Sequence, residues 1–185
     1  MHRSAVDGAT EDFDYIIVSH NGKCAERLMR EAGVDRLHRI LKTKFSCAPP
    51  PGSTMQLSSL WVLCLLVKGS LSLPFEGAFI KGNPDLCWAS DNTMKLGQGS
   101  DKEYEAWTLI SSRSYGSQNK CPQENVPQQV SEKVTSELIA AFESACGLAP
   151  GSVRPTHTLA QLWGAAVPMN VLSAPGLGKF PQIPH

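Results

Sequence analysis

Three consecutive prolines, Pro49, Pro50 and Pro51, closed by Gly52, constrain the fold of this chain more than any other feature. Each proline fixes its own φ and removes a backbone donor, so neither a helix nor a paired strand runs through such a block. The chain divides there, and two textures flank the division. On the N-terminal side, residues 13–18 (FDYIIV) are a β-branched and aromatic run of the kind buried in a parallel sheet. His20, Asn21 and Gly22 follow at once. Cys24, Leu28 and Ala32, with Met29 beside them, then recur at helical spacing until Gly33 offers a stop. This pattern predicts a strand, a turn and a helix, and residues 38–45 are expected to add a second strand.

Beyond the block the pattern is that of an antiparallel sheet with one helix. Residues 56–67 form the first long strand; their unbroken apolar part, 60–67, falls far short of the ~20 residues needed to cross a bilayer and reads as a buried strand. Segments 78–81 and 86–90 flank Gly82, Asn83, Pro84 and Asp85, a turn sequence that joins them as a hairpin. Residues 105–112, with Trp107, Leu109 and Ile110, supply a further strand. Val130, Val134, Leu138, Phe142 and Ala145 make the clearest helical stripe, with Pro127 suited to its first turn and Gly147 and Pro150 to its end. Residues 154–163 read as a last strand. The expected class is α+β: a strand–helix unit over 1–48, a sheet domain with a packed helix over 53–165, and an irregular tail over 166–185, rich in proline and glycine.

Charge and cysteine usage exclude several functions. Lysine plus arginine (17) balance aspartate plus glutamate (17), so no net field draws the chain to nucleic acid or an anionic membrane. The six cysteines lie far apart, without a CxxC pair or zinc spacing, so no metal site is expected. Cys64 and Cys146 sit in apolar runs, where a reduced thiol packs as a small hydrophobe. The opening MHRSAVDGATEDFD is polar and acidic, with no leader pattern, and a cytoplasmic chain is expected. No nucleophile motif or phosphate loop supports a hydrolase or transferase.

Four segments, read in order, carry a resemblance to a known family: residues 13–29, residues 57–97 with the block PFEGAF…NPDLCWASDNT, residues 107–127, and LAQLWGAAVP at 159–168. Together they resemble the NAD(P)/FAD-dependent oxidoreductases related to renalase and, more distantly, to amine oxidases. The resemblance implies a Rossmann-like FAD-binding domain, with 13–29 as one of its late strand–helix units, and a substrate-binding domain from about residue 56 to Trp163. It implies FAD as cofactor, NAD(P) as a candidate substrate, and a small-molecule substrate as partner. The chain departs from the family in lacking the GxGxxG loop whose glycines let backbone amides reach the pyrophosphate. GLGKF at 176–180 lacks the third glycine and a following helix. The family's closing Gly-Asp-rich segment is absent as well. A fragment contributing the substrate-side domain, inactive alone and without retained FAD, is therefore expected; a plastid destination for a longer parent stays open. The alternative is a non-catalytic ligand- or protein-binding module built on the same domain.

Within that frame, Trp163 corresponds to a tryptophan near the flavin and is either a pocket wall or a core residue. Trp88, Asp91 and Asn92 end a hairpin strand, where they face substrate or simply close a turn. His20, Asn21 and Gly22 follow a strand end, a position that faces cofactor in α/β sheets or starts a helix. His157 has no sequence-near partner and reads as structural. Cys121 and Asn125 lie in a loop that is a candidate cover for the pocket. No catalytic residue is identified.

Overall fold

The computed structural model describes residues 2–4, 10–15, 17–45, 56–95 and 103–169. Two compact units result, one comprising 1–56 with 168–185, the other 57–167. Residues 170–185, which include most of the expected irregular tail and GLGKF, lie outside the described residues, as does Cys47.

The first unit holds a short antiparallel pair, β1 (His2–Ser4) with β2 (Thr10–Asp12), and two helices, α1 (Gly22–Glu31) and α2 (Asp35–Phe45). The helices form a hairpin around Gly33, whose φ of 68° is the left-handed conformation a helix terminus needs. Ala25 and Met29 are its buried residues, and His38 Nε2 meets Glu26 Oε1 across the pair at 2.7 Å. Two expectations are corrected here. Residues 38–45 are helical, because Asp35 in the first turn and Lys42 and Lys44 in the last suit the helix dipole. Leu41 and Phe45, one turn apart, also keep one partly buried face. Residues 13–18 form no strand where described: Tyr15 is 90% and Ile17 92% exposed, and no described strand pairs with them. A strand exists only through a partner's hydrogen bonds, and an apolar run alone does not supply one.

The second unit is a five-stranded, wholly antiparallel sheet: β3 (Leu60–Lys68), β4 (Gly77–Phe79), β5 (Leu86–Asp91), β6 (Tyr104–Ser111) and β7 (Pro155–Trp163), in the order β4-β5-β6-β3-β7. Three helices accompany it: α3 (Asn92–Lys95), α4 (Arg113–Gln118) and α5 (Gln128–Cys146). The unit thus confirms an α+β class with an antiparallel sheet and a packed helix.

Strand alternation explains the core. Trp61, Leu63, Leu65 and Val67 of β3, Trp107 and Leu109 of β6, and Leu86 and Ala89 of β5 are buried on one face. Onto them α5 lays Val134, Leu138, Ala141 and Phe142, with the Phe142 ring 5.2 Å from that of Trp107. Each such fully buried large side chain contributes roughly 1.5–3 kcal/mol. Ala145, placed on the stripe by its spacing, is exposed, and Ala141 takes the inward position. Gly147 ends the helix at φ 67°. The Glu143 carboxylate, buried, then accepts from the amides of Gly151 (2.9 Å) and Val153 (2.8 Å), pinning the connection into β7.

Between β4 and β5, Asn83 Oδ1 accepts from the amides of Asp85 and Leu86 at 2.9 and 3.0 Å, and Gly82 takes φ 80°, so the hairpin turn forms as its residues predict. Among the described residues no helix is long and apolar enough to cross a membrane.

Candidate functional site: the open face of the sheet

Because paired residues in antiparallel strands share a face, the register defines the side of the sheet opposite α5. Phe79 pairs with Trp88, Trp88 with Ile110, Ile110 with Val62 and Val62 with Gln161, making one row across all five strands. The next row runs Gly77, Ser90, Thr108, Cys64 and Leu159. His157 opposite Leu66 and Trp163 opposite Leu60 complete the face on β7. Within the second unit no described element packs over these rows: Phe79 is 81% exposed, Leu159 57% and Trp163 56%. A central strand with apolar residues on both sides explains why 60–67 reads as an unbroken run.

Beside His157, three candidate site residues from the sequence stand on or next to this face. Trp88 packs edge-on against Phe79, with ring centroids 4.6 Å apart, and its indole lies over Gly77, where a Cβ would come within 3.0 Å of the ring. Asn92, just past β5, donates from Nδ2 to Thr108 Oγ1 at 2.6 Å. Trp163 stands on the far edge, its ring exposed rather than packed in the core. Three strand intervals separate β5 from β7, about 14 Å.

Asp91 does not join them. It points to the buried face, 4% exposed, and its Oδ1 accepts from the amides of Thr93 (2.9 Å) and Met94 (3.4 Å) at the start of α3. The alternation that sends Trp88 and Ser90 outward sends Asp91 inward, which corrects the grouping of Trp88, Asp91 and Asn92 as one cluster.

His20, Asn21 and Gly22 form a helix start in the first unit. Asn21 Oδ1 accepts from the Cys24 amide at 3.2 Å, and its carbonyl from Ala25 at 3.0 Å. The Phe45 ring occupies the space beside Gly22, 2.3 Å from where a Cβ would stand, so Gly22 serves close packing with α2. His20 is exposed, with Nδ1 3.3 Å from the Asn21 carbonyl. Asn21 thus caps α1, and Phe45 packs against Gly22.

The loop bearing Cys121 and Asn125 is tied to the ends of β3 and β7. Trp61 Nε1 donates to the Asn119 carbonyl (3.1 Å), and the Gly164 amide donates to Gln123 Oε1 (3.0 Å). Cys121 packs partly against the core, and burial pushes its thiol above the usual range, as it does those of Cys87 and Cys146. A raised thiol stays protonated and is a poor nucleophile. The described cysteines are free thiols, and no described His/Cys/Asp/Glu cluster has metal-binding geometry.

Ser90, Thr108, Cys64 and Leu159 escaped sequence reasoning. Their signal is register: each is an ordinary residue until pairing with Trp88's strand and its neighbours puts them on one side.

No family model matches the chain, and no curated protein matches it. Solved structures do. Reduced UDP-galactopyranose mutase aligns over 90% of this chain with a TM-score of 0.50 and 14% identity. A protein from Exiguobacterium sp. 255-15, provisionally described as a protoporphyrinogen oxidase, aligns over 90% with a TM-score of 0.48 and 11% identity. The chain spans 32% of the length of each, about a third. At such identity the likeness to the mutase establishes a shared fold alone.

Proposed function

We propose that the second unit is the substrate-side domain of a flavin-dependent oxidoreductase of the renalase and amine-oxidase type, with the open sheet face as the wall of its substrate cavity. One observation carries the reading: a five-stranded antiparallel sheet is sealed by α5 on one side, and on the other, where no described element of the second unit covers it, it mixes polar residues with aromatic ones at its edges. A stand-alone domain gains by covering both faces, and a bare face of this size marks a binding wall. The fold shared with a mutase crystallised in its reduced state supports the same reading.

In this role Trp88 and Trp163 are apolar walls at the two edges of the face. Asn92, through Thr108, fixes a polar point between them. Asp91 shapes the strand end from the opposite side. The helix pair of the first unit is the counterpart of a Rossmann-like strand–helix unit, with 13–18 as the segment that a parallel sheet would take up. Hydride transfer needs a cofactor that ordinary side chains cannot replace, and the sequence carries no GxGxxG loop to hold one. The chain acts, on this reading, with flavin-binding residues other than those described, and alone it has no oxidoreductase activity.

Two measurements test this. Full-length chain purified with excess FAD and passed through gel filtration is expected to emerge without flavin absorbance; stoichiometric flavin retained through dialysis overturns the assignment of flavin binding to other residues. Sequencing the transcript upstream of the codon for Met1 is expected to show an in-frame GxGxxG strand–loop–helix. A stop codon and an independent start there instead make the chain a stand-alone binding module.

A further inference from the structure

We infer that β7 pairs with β7 of a second copy of this chain, antiparallel about a two-fold axis at Ala160, so that two five-stranded sheets join edge to edge. The strand ends the sheet, with β3 on one side and no described strand on the other. The Trp61 amide donates to Ser111 Oγ of β6 at 2.9 Å, so Trp61 turns its main chain away from β7, and its partner Leu162 turns its own outward. Alternation sends the N–H and C=O of Thr158 and Ala160 outward as well. Among the described residues these groups have no partner, save the Leu162 carbonyl, which the neighbouring Gln161 Nε2 reaches at 3.4 Å. A row of main-chain donors and acceptors at strand spacing is matched by one kind of partner, another extended strand.

Both ends of the open stretch are marked. Toward the start of β7 the register with β3 shifts between Leu66 and Val67, opposite Pro155; past its end the Gly164 amide is taken by Gln123 Oε1 at 3.0 Å. Between these limits residues 157–163 pair one for one with β3, and their centre is Ala160. Sheet edges are ordinarily blunted by shortness or by charge. The opposite edge, β4, is three residues long. β7 has nine, with no Lys, Arg, Asp or Glu among them and its proline in first place.

The strand is complementary to itself. Antiparallel pairing about Ala160 sets His157 against the partner's Trp163, Leu159 against the partner's Gln161, Thr158 against the partner's Leu162, and the small Ala160 against its own copy. Trp163, 56% exposed, gains an aromatic neighbour, and no like charges meet. On the sealed side α5 leaves the edge accessible: an open groove of about 610 Å³ runs between them, bordered by Ser131, Thr135, Ser136 and Thr158. A two-fold arrangement closes at two copies, with both open faces on one side of the joined sheet. The pairing stands whether or not a flavin domain precedes the chain.

The test uses the full chain carrying Tyr15→Lys and Ile17→Lys, which removes association through those exposed residues. Sedimentation velocity is expected to show a dimer that dissociates on dilution. Over the same concentrations the amides of Thr158, Ala160 and Leu162 are expected to gain protection from hydrogen exchange, while those of Leu159 and Gln161, which face β3, stay protected throughout. Leu159→Lys with Gln161→Lys, at two exposed positions, sets like charges opposite each other and is expected to weaken the dimer at least about tenfold. Leu159→Glu with Gln161→Glu is expected to do the same, and an equimolar mixture of the two variants to restore the dimer. Recovery in the mixture separates lost pairing from lost folding. A monomer at every concentration, a dimer in which the Ala160 amide exchanges unchanged, or a mixture that stays monomeric overturns the inference.

Discussion

The Tyr115 hydroxyl donates to Glu137 Oε2 at 2.5 Å, joining the short helix α4 to α5 above the core. Burial and then the hydrogen bond to the Glu137 carboxylate hold the phenol pKa far above its ordinary value. A group whose folded-state pKa is raised binds its proton more tightly in the native chain. Its contribution is therefore complete below the unfolded phenol's pKa of 10.0 and declines as pH rises beyond it, when the unfolded state begins to lose the proton. Chemical denaturation across this alkaline range is expected to show that decline, and Tyr115→Phe to flatten it. At neutral pH the same substitution is expected to cost about 1 kcal/mol, since Glu137 is partly solvated.

Gly116, the next residue, lies against the start of β3. A Cβ there would stand 2.0 Å from the Ser59 carbonyl oxygen and 3.0 Å from Leu60 Cα, both backbone atoms that cannot rotate aside. Gly116→Ala is expected to displace α4 and to destabilise by about 3 kcal/mol, read as a lowered urea midpoint at unchanged m-value. Gly151→Ala, with open space around it but φ 76°, is expected to cost about 1 kcal/mol through backbone strain alone.

Glu105 is a buried carboxylate with several donors on it: the Ser70 hydroxyl, the Leu71 amide at 2.9 Å and Trp107 Nε1 at 3.1 Å. Glu105→Ala strands those donors and is expected to cost roughly 3 kcal/mol or more. Hydrogen exchange at Leu71 is expected to accelerate, because the loop leaving β3 loses its anchor. Unchanged protection at that amide would show that the loop is held otherwise.

Tyr15 and Ile17 present large apolar side chains almost wholly to solvent. Such a run, uncovered, favours self-association. The wild-type chain is expected to elute from gel filtration as a concentration-dependent oligomer, and Tyr15→Lys with Ile17→Lys to shift it toward monomer. A wild-type monomer at every concentration refutes this.

The sheet and α5 were legible in the sequence because both are written locally. Residues 60–67 form an unbroken apolar run bounded by turn residues, and Val134, Leu138 and Phe142 recur at four. Where the local pattern misled, tertiary pairing decided. Residues 13–18 have the composition of a strand but no described partner, whereas 38–45 have a strand-like sprinkling of apolar residues that α1 draws onto one helical face.

The candidate site was legible in part. Trp88, Asn92 and Trp163 were identifiable as chemistry-bearing residues, yet which face each occupies depends on pairings across the chain, Trp88 to Ile110 and Leu60 to Trp163. The inward turn of Asp91 follows from the same alternation and was not visible in the cluster of residues around it.

Glu143 has a consequence for the far side of the sheet. Its two oxygens clasp the amides of Gly151 and Val153, two residues before β7 begins, so the last strand is clamped to the helix behind it. The strand that carries His157, Leu159 and Trp163 is in this way aligned from the rear. Loosening one carboxylate on the sealed side would let the bare side's outer rim drift.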